Sequence, residues 1–277
     1  MKTDILDQGR ITVATEFLPL LRGHGLDSFE KVMARSGGKI VRDFPGRRTH
    51  RLELKMPGGG IQGIYLKRYQ ADYLSAGRRL LRRLGWPAAQ DEALREWQMI
   101  EQVRSLGIPT ATRIAVGQES AGGTVRRSFV MTAEIPGAIE GHTYVGQLSA
   151  AERPGFLRRV AEMARRFHEA GLVHKDYYLG HVLVAPGPGE PGLFLIDLQR
   201  VMKPCCFRDR WVTKDLGALA YSTLQSGVTR AGLLRAFLVY CVKPRLGAPE
   251  KRAARKILRR VARLRSHRSK HDGPIRQ

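Results

Sequence analysis

Leu172-Val-His-Lys-Asp-Tyr-Tyr-Leu-Gly-His-Val-Leu-Val-Ala185, a Gly- and Pro-rich turn over residues 186–192, and then Leu193-Phe-Leu-Ile-Asp197 form the stretch whose reading decides the fold. Two short apolar runs around a turn predict a β-hairpin. Pairing Val182 with Ile196 and Ala185 with Leu193 sets His181 opposite Asp197 at the open end, with Asp176 five residues upstream on the entering loop. Two carboxylates and an imidazole converge there.

That trio suits phosphoryl transfer. An Asp at a strand end can hold Mg2+ on nucleotide phosphates, while a second Asp in a loop takes the proton of an acceptor hydroxyl. The kinase pattern, His-Arg-Asp, four residues, Asn, and later an Asp after a strand, is met by His174-Lys175-Asp176 and Asp197, with His181 at the Asn position. Imidazole is a softer ligand for Mg2+ than an amide oxygen, so the number of metal ions stays open. Lys175 in place of Arg keeps the charge and loses the bidentate fork.

Upstream, the chain reads as strands. Lys39-Ile-Val-Arg-Asp-Phe, His50-Arg-Leu-Glu-Leu-Lys and Ile61-Gln-Gly-Ile-Tyr-Leu-Lys-Arg-Tyr are separated by turns at Pro45-Gly46 and Pro57-Gly-Gly-Gly60, which predicts an antiparallel meander. A helix is expected over residues 91–106, closed by Gly107 with Pro109 beyond it. Ser128-Phe-Val-Met-Thr-Ala reads as another strand, running into Glu134-Ile-Pro-Gly as a linker. Downstream, Phe156, Val160, Met163 and Phe167 keep a helical spacing that Gly171 ends. Strands followed by helices predict an α+β, bilobal, protein-kinase-like fold, its lobes sharing a cleft. The expected divisions are an N-terminal extension (1–36), a sheet-bearing N-lobe that binds nucleotide phosphate (37–135), a mainly helical C-lobe with the catalytic loop and metal site (136–247), and a basic tail (248–277).

The first lobe carries a second pair. Lys67 lies near a strand end, and in the following helix Ala93, Trp97, Ile100 and Val103 share one side. At about 100° per residue Glu96 falls inside that apolar arc. A carboxylate on a buried face wants a cationic partner, and kinases supply one from a strand Lys that also contacts phosphate.

Composition narrows the partner. The 277 residues hold 48 Lys+Arg against 25 Asp+Glu, a formal charge of +23, and 43% apolar residues exclude general disorder. Ten of those cations fall in residues 251–270, with no Asp or Glu among them, leaving +13 elsewhere. Charge of this size implies an anionic partner: nucleic acid, an acidic membrane surface or a phosphorylated substrate. Three cysteines, Cys205, Cys206 and Cys241, form no disulfide framework and are expected as small buried side chains in a reducing compartment. Asp4 and Asp7 stand where a signal peptide would be basic and apolar, and residues 233–242 are too short and too charged to span a membrane, which takes roughly 20 apolar residues.

Taken together, the sequence resembles the lipopolysaccharide core kinases of Gram-negative bacteria, the heptose and Kdo kinase group. The resemblance is carried by Phe44-Pro-Gly-Arg-Arg-Thr-His-Arg-Leu-Glu-Leu, Tyr65-Leu-Lys-Arg, Leu94-Arg-Glu-Trp, Arg126-Arg-Ser-Phe-Val, His174-Lys-Asp-Tyr-Tyr-Leu-Gly-His-Val-Leu, Leu195-Ile-Asp-Leu-Gln-Arg and Lys214-Asp-Leu, and extends over residues 17–242. It implies a kinase using ATP and Mg2+, with Asp176 as catalytic base and Asp197 as Mg2+ ligand. Lys67 would contact the α- and β-phosphates, held by Glu96, and His181 would sit at a second metal or phosphate position. Asp215 looks like the Asp that braces the catalytic loop. Gly46, Arg47, Arg48 and Thr49 stand in the place of the glycine-rich phosphate loop, although no full Gly-rich motif is present. Backbone groups from Thr132 to Ile135, Glu134 among them, would hold the adenine. His24 and His168 show no ligand spacing and read as solvated or satisfied side chains.

Within the tail, Ala254, Ile257, Leu258, Val261 and Leu264 form an apolar stripe in a field of Arg and Lys. Such a basic amphipathic helix reads as a membrane-surface element, with packing on the second lobe as the other reading. The reading that joins tail and catalytic set is a kinase acting on the lipid A–core oligosaccharide at the cytoplasmic face, peripherally attached to the inner membrane. A kinase for a protein or small-molecule acceptor is the neighbouring alternative. A basic nucleic-acid-binding protein is the alternative from another class, weakened by 7% aromatics and by the lack of a recognised nucleic-acid module.

Overall fold

A computed structural model describes residues 1–70, 91–121 and 124–271, so the last six residues of the expected tail lie outside the described residues. The chain forms two compact units. The first comprises Met1–Gln102 with Thr110–Pro136, and the second comprises Val103–Pro109 with the chain from Gly137 onward.

In the first unit the described residues form a seven-stranded antiparallel sheet. Its strands are β1 (Thr3–Leu6), β2 (Ile11–Ala14), β3 (Lys39–Phe44), β4 (Arg47–Lys55), β5 (Ile61–Gln70), β6 (Arg113–Ala121) and β7 (Thr124–Ala133), in the order β1-β2-β6-β7-β5-β4-β3. The expected meander is β3-β4-β5. Residues 1–36, expected as an extension, instead supply β1 and β2 to the same sheet through pairing of β2 with β6, and they add the short helices α1 (Leu18–Gly23) and α2 (Phe29–Ala34). Strands of four residues carry too few alternations to be read from sequence.

Period-two alternation divides the sheet into two faces. Leu52, Leu54, Ile64, Leu66, Phe129 and Met131 pack with Leu20, Leu21, Phe29 and Val32 of α1 and α2. On the other face Tyr69, Val116 and Val130 pack against Ala93 and Trp97 of helix α3 (Glu92–Ser105). Lys67 has the parity of Tyr69 and therefore lies on the α3 face. Asp91 caps this helix: one carboxylate oxygen accepts the N–H groups of Ala93 and Leu94 at 3.0 and 3.1 Å, and the other accepts the Ser128 hydroxyl at 2.7 Å. The cap ties the start of α3 to β7.

The second unit is mainly helical, with α4 (Gly141–Gln147), α5 (Arg153–Glu169), α6 (Arg208–Gln225), α7 (Arg230–Cys241) and α8 (Ala248–His271). In α5 the predicted stripe of Phe156, Val160, Met163 and Phe167 is buried, and Gly171 closes the helix at φ +80°. A small sheet β10-β9-β8 is built from β8 (Ile139–Glu140), β9 (Val182–Ala185) and β10 (Gly192–Leu195). Its register corrects the expectation by one residue: Val182 pairs with Leu195 and Val184 with Leu193. These four side chains are all buried, so the observed register puts them on one face, whereas the expected one would have set buried Val184 opposite half-buried Phe194.

Among the described residues no helix is long and apolar enough to cross a membrane. The tail is helical, as expected, but Ile257 and Val261 of its stripe are buried in the packing of α8 on α6, while Leu258 stays 53% exposed. Most of the apolar face proposed for a membrane is thus spent on the protein itself. Cys205 and Cys206 correct another expectation, since both are exposed, on the bend that precedes α6.

Candidate active site

In the second unit the loop between α5 and β9 is held from below by one buried carboxylate. Asp215 on α6 is fully buried, and its two oxygens accept the backbone N–H groups of His174 at 2.6 Å and Lys175 at 2.7 Å. His168, read from sequence as a satisfied bystander, is buried, lies 3.4 Å from the same carboxylate and bonds the Tyr240 hydroxyl at 3.0 Å. Its role as a support could be found only in three dimensions, because its partners are 47 and 72 residues away. Lys175 adopts φ +71° and Asp197 φ +61°, left-handed conformations rare for residues with a Cβ. Strain of this kind persists where surrounding bonds over-determine it.

His174 is fully buried and donates from Nε2 to the Ile196 carbonyl at 3.0 Å. Burial, and after it the neighbouring His181, pushes its pKa below the usual histidine range, so the ring is neutral. His181 stacks on it with centroids 5.7 Å apart. A carbonyl can only accept, so the 2.7 Å bond from His181 Nδ1 to the Asp176 carbonyl places a proton on Nδ1. His181 Nε2 lies 3.6 Å from Asp197 Oδ2. Sequence reasoning had set His181 opposite Asp197 in the ladder; the ladder partner is Ile196, whose N–H donates to the His181 carbonyl at 3.0 Å, and the approach to Asp197 is made by side chains.

Asp176 is partly exposed and accepts from Arg200 Nη1 at 2.6 Å. Arg200 was missed as a site residue. It stands three residues after Asp197, and only the short helical turn over Leu198–Arg200 aims it back at the loop.

In the first unit Lys67 Nζ and Glu96 Oε1 are 2.6 Å apart, with side-chain exposures of 13% and 4%. Thr49 is the ladder partner of Lys67 and is buried beside it, with its hydroxyl oxygen unbonded. Arg47 lies on the same face, its guanidinium 5.7 Å from the Tyr69 ring centroid. The residues expected as a loop are thus the first three of β4, and only Pro45-Gly46 turn, with Gly46 at φ +80°. Arg48 pairs with Arg68 on the opposite face and bonds Asp43 at 2.9 Å, so the structure does not bring it beside Lys67. Glu134 follows β7; its N–H donates to the Gly63 carbonyl at 2.8 Å, and its carboxylate is bidentate to Arg51 at 2.7 Å on both arms. This pairing holds the Arg51 guanidinium above its usual pKa. The Glu134 amide is therefore spent inside the sheet.

Asp197 Oδ2 and His181 Nε2, 3.6 Å apart, are a carboxylate oxygen and an imidazole nitrogen of the types that can ligate a metal. Among the described residues no set of three or more such side chains is grouped for a metal.

A loop Asp beside a buried Asp that holds its neighbouring amides, a strand-end Asp near an imidazole, and a buried Lys–Glu pair are residue types that phosphoryl transfer draws on. Residues 32–240 match the model of the lipopolysaccharide kinase (Kdo/WaaP) family, and the chain belongs to that family. Among similar curated proteins are the lipopolysaccharide core heptose(I) kinase WaaP of Pseudomonas aeruginosa, 30% identical over 233 residues covering 80% of this chain and 83% of that protein, and the kinase of the same name from Escherichia coli, 30% identical over 230 residues covering 79% and 83%. A solved structure, WaaP in complex with acyl carrier protein, superimposes with a TM-score of 0.66 at 26% identity, covering 99% of this chain and all of that one. The chain is a kinase with the α+β fold of that family.

Proposed function

We propose that this kinase transfers the γ-phosphoryl group of ATP to a heptose hydroxyl of the lipopolysaccharide inner core. The observation that carries the reading is the loop at Asp176, braced by Asp215 and flanked by His181 and Asp197. The acceptor sugar comes from the similarity to heptose(I) kinases.

In this reading Asp176 orients the acceptor hydroxyl and takes its proton as the bond to phosphorus forms, and Arg200 aims the carboxylate. Asp197 and His181 would hold Mg2+, which supplies charge neutralisation on the phosphate oxygens. Lys67 neutralises further phosphate charge, its ammonium steered by Glu96. Arg47 and Thr49 lie on the Lys67 face and remain candidates for phosphate contact, as does the backbone after Glu134 for the adenine. Attachment to the cytoplasmic face of the inner membrane belongs to the same proposal, supported by the cations of α8 more than by its largely buried stripe. Acyl carrier protein, seen with the solved relative, is a partner to test by co-purification.

The test is incubation of the full chain with labelled ATP and dephosphorylated core lipid, with and without Mg2+. Label should enter the lipid only with metal. Asp176→Ala should abolish incorporation with unchanged thermal unfolding; full activity in that variant, or no label with the wild type, sinks the reading.

A further inference from the structure

Beside the catalytic loop, α6 and α8 wall a half-open cavity of about 600 Å³, within the size range of small-molecule sites. Six cations line it: Arg210 and Lys214 from α6, and Lys256, Arg259, Arg260 and Arg263 from α8. The one carboxylate on its wall is Asp209. Elsewhere in the molecule Arg10, Arg51, Arg113, Arg127 and Arg200 are matched with Asp or Glu at 3 Å or less, yet among the described residues none of these six forms an ion pair. Arg260 also keeps a buried Nε without a hydrogen-bond partner.

Gathering six like charges around one cavity costs free energy unless an anion enters it. Lys214 carries a desolvation cost as well: burial, opposed by Asp176, pushes its ammonium below the usual lysine range. Trp211 joins the cavity to the catalytic loop. It lines the cavity, and the ammonium groups of Lys175 and Lys214 stand 5.3 and 5.6 Å from its ring centroid. Lys175 immediately precedes Asp176. An anion in this cavity therefore sits next to the residue proposed to meet the acceptor hydroxyl.

We infer that the α6–α8 cavity is the anchoring site for the carboxylate or phosphate groups of the sugar acceptor, with Arg259, Arg260, Arg263 and Lys214 as its specificity-determining cations. The inference rests on the proposed sugar-kinase reading. A concave site favours this occupant over a flat bilayer, since a pocket can surround a sugar acid or sugar phosphate with several charge-assisted bonds at once.

The experiment compares wild type with Arg259→Ala/Arg263→Ala, two exposed side chains whose loss leaves the packing of α8 on α6 in place, and with Lys243→Ala/Arg245→Ala, which removes equal charge elsewhere. The probe is deacylated, soluble core oligosaccharide containing heptose and Kdo. The cavity variant should raise the acceptor KM about 10- to 100-fold, as the loss of one or two charge-assisted hydrogen bonds does, and leave the KM for ATP at the wild-type value. The Lys243/Arg245 control should match the wild type. Carboxyl-reduced and dephosphorylated oligosaccharides tell which anion is held, because the variant loses nothing further on the acceptor that lacks it. An unchanged acceptor KM overturns the inference, as does a defect confined to lipid-bearing acceptor in anionic vesicles, which would make the cavity a membrane contact. If the wild type transfers no phosphate, the sugar-kinase reading fails separately. The cavity is then judged by tryptophan-fluorescence titration with the same oligosaccharide: binding lost in the variant sustains it, and equal or absent binding in both refutes it.

Discussion

Asp215 Oδ1 accepts the backbone N–H of Lys175 at 2.7 Å, one residue before Asp176, while Lys175 itself is held at φ +71°. The bond fixes the backbone from which Asp176 projects. Asp215→Asn keeps the size but offers one acceptor oxygen to two N–H groups, leaving one buried donor unpaired at about 1–3 kcal/mol. Phosphoryl transfer should fall by about a hundredfold, the cost of displacing a reacting group by about 1 Å, with KM for ATP little changed. Steady-state kinetics beside thermal unfolding checks this; near-wild-type kcat would show that the brace is dispensable.

Lys67 and Glu96 offer a separation of stability from chemistry. Glu96→Leu alone takes the carboxylate from an ammonium only 13% exposed and should cost about 3 kcal/mol. Adding Lys67→Met should restore most of that stability without restoring phosphotransfer. Denaturant unfolding and label incorporation on the single and double variants are the measurements. Activity recovered along with stability would mean that the pair is structural.

Gly217 lies where α6 meets α8. A Cβ there would stand 2.5 Å from Arg260 Cγ and 2.8 Å from its Cβ. Gly217→Ala gains about 1 kcal/mol of helix propensity and incurs about 1–3 kcal/mol of overpacking, because an Arg Cβ cannot swing away. The expected net effect is a lower melting temperature and, if α8 shifts, a raised acceptor KM. A higher melting temperature would show that the helices part freely.

Asp7 ties the first turn region to α2. Its carboxylate accepts the Phe29 N–H at 2.7 Å and the Arg10 guanidinium at 2.9 Å, and these two bonds, the former first, hold its pKa below the usual aspartate range. A depressed folded-state pKa contributes stability above the unfolded value of about 3.9 and loses it as pH falls through the folded one. Thermal unfolding of wild type minus Asp7→Asn should show a gap that is constant near neutrality and closes below about pH 4. A gap unchanged down to pH 2 would contradict this.

Much of the site was legible because its residues are close in the chain. His174, Asp176, His181 and Asp197 fall within 24 residues, and the spacing of Asp176 and His181 is itself a pattern. Glu96 was legible for another reason: a carboxylate in an apolar helical arc is anomalous, and the anomaly demands a cation. Strand parity and the cross-strand Arg51 decide where the Arg48 and Glu134 side chains point, which the sequence does not show, and the hairpin register slipped by one because Ile196 is as apolar as Leu195. Four of the six cavity cations were visible only as part of a charge run, and Arg210 and Lys214 lie outside it.

By itself, the sequence determined the family, the β3–β5 meander and the succession of a strand-rich half by a helical one, since periodicity, turn residues and a short motif are local properties of the chain. The tertiary structure decided which face each strand residue serves, that residues 1–36 complete the sheet, that Asp215, with His168 against it, holds the loop before Asp176, and that α8 turns its apolar stripe inward. Those outcomes depend on contacts between residues tens of positions apart, where the free energy of burying a face outweighs any local preference.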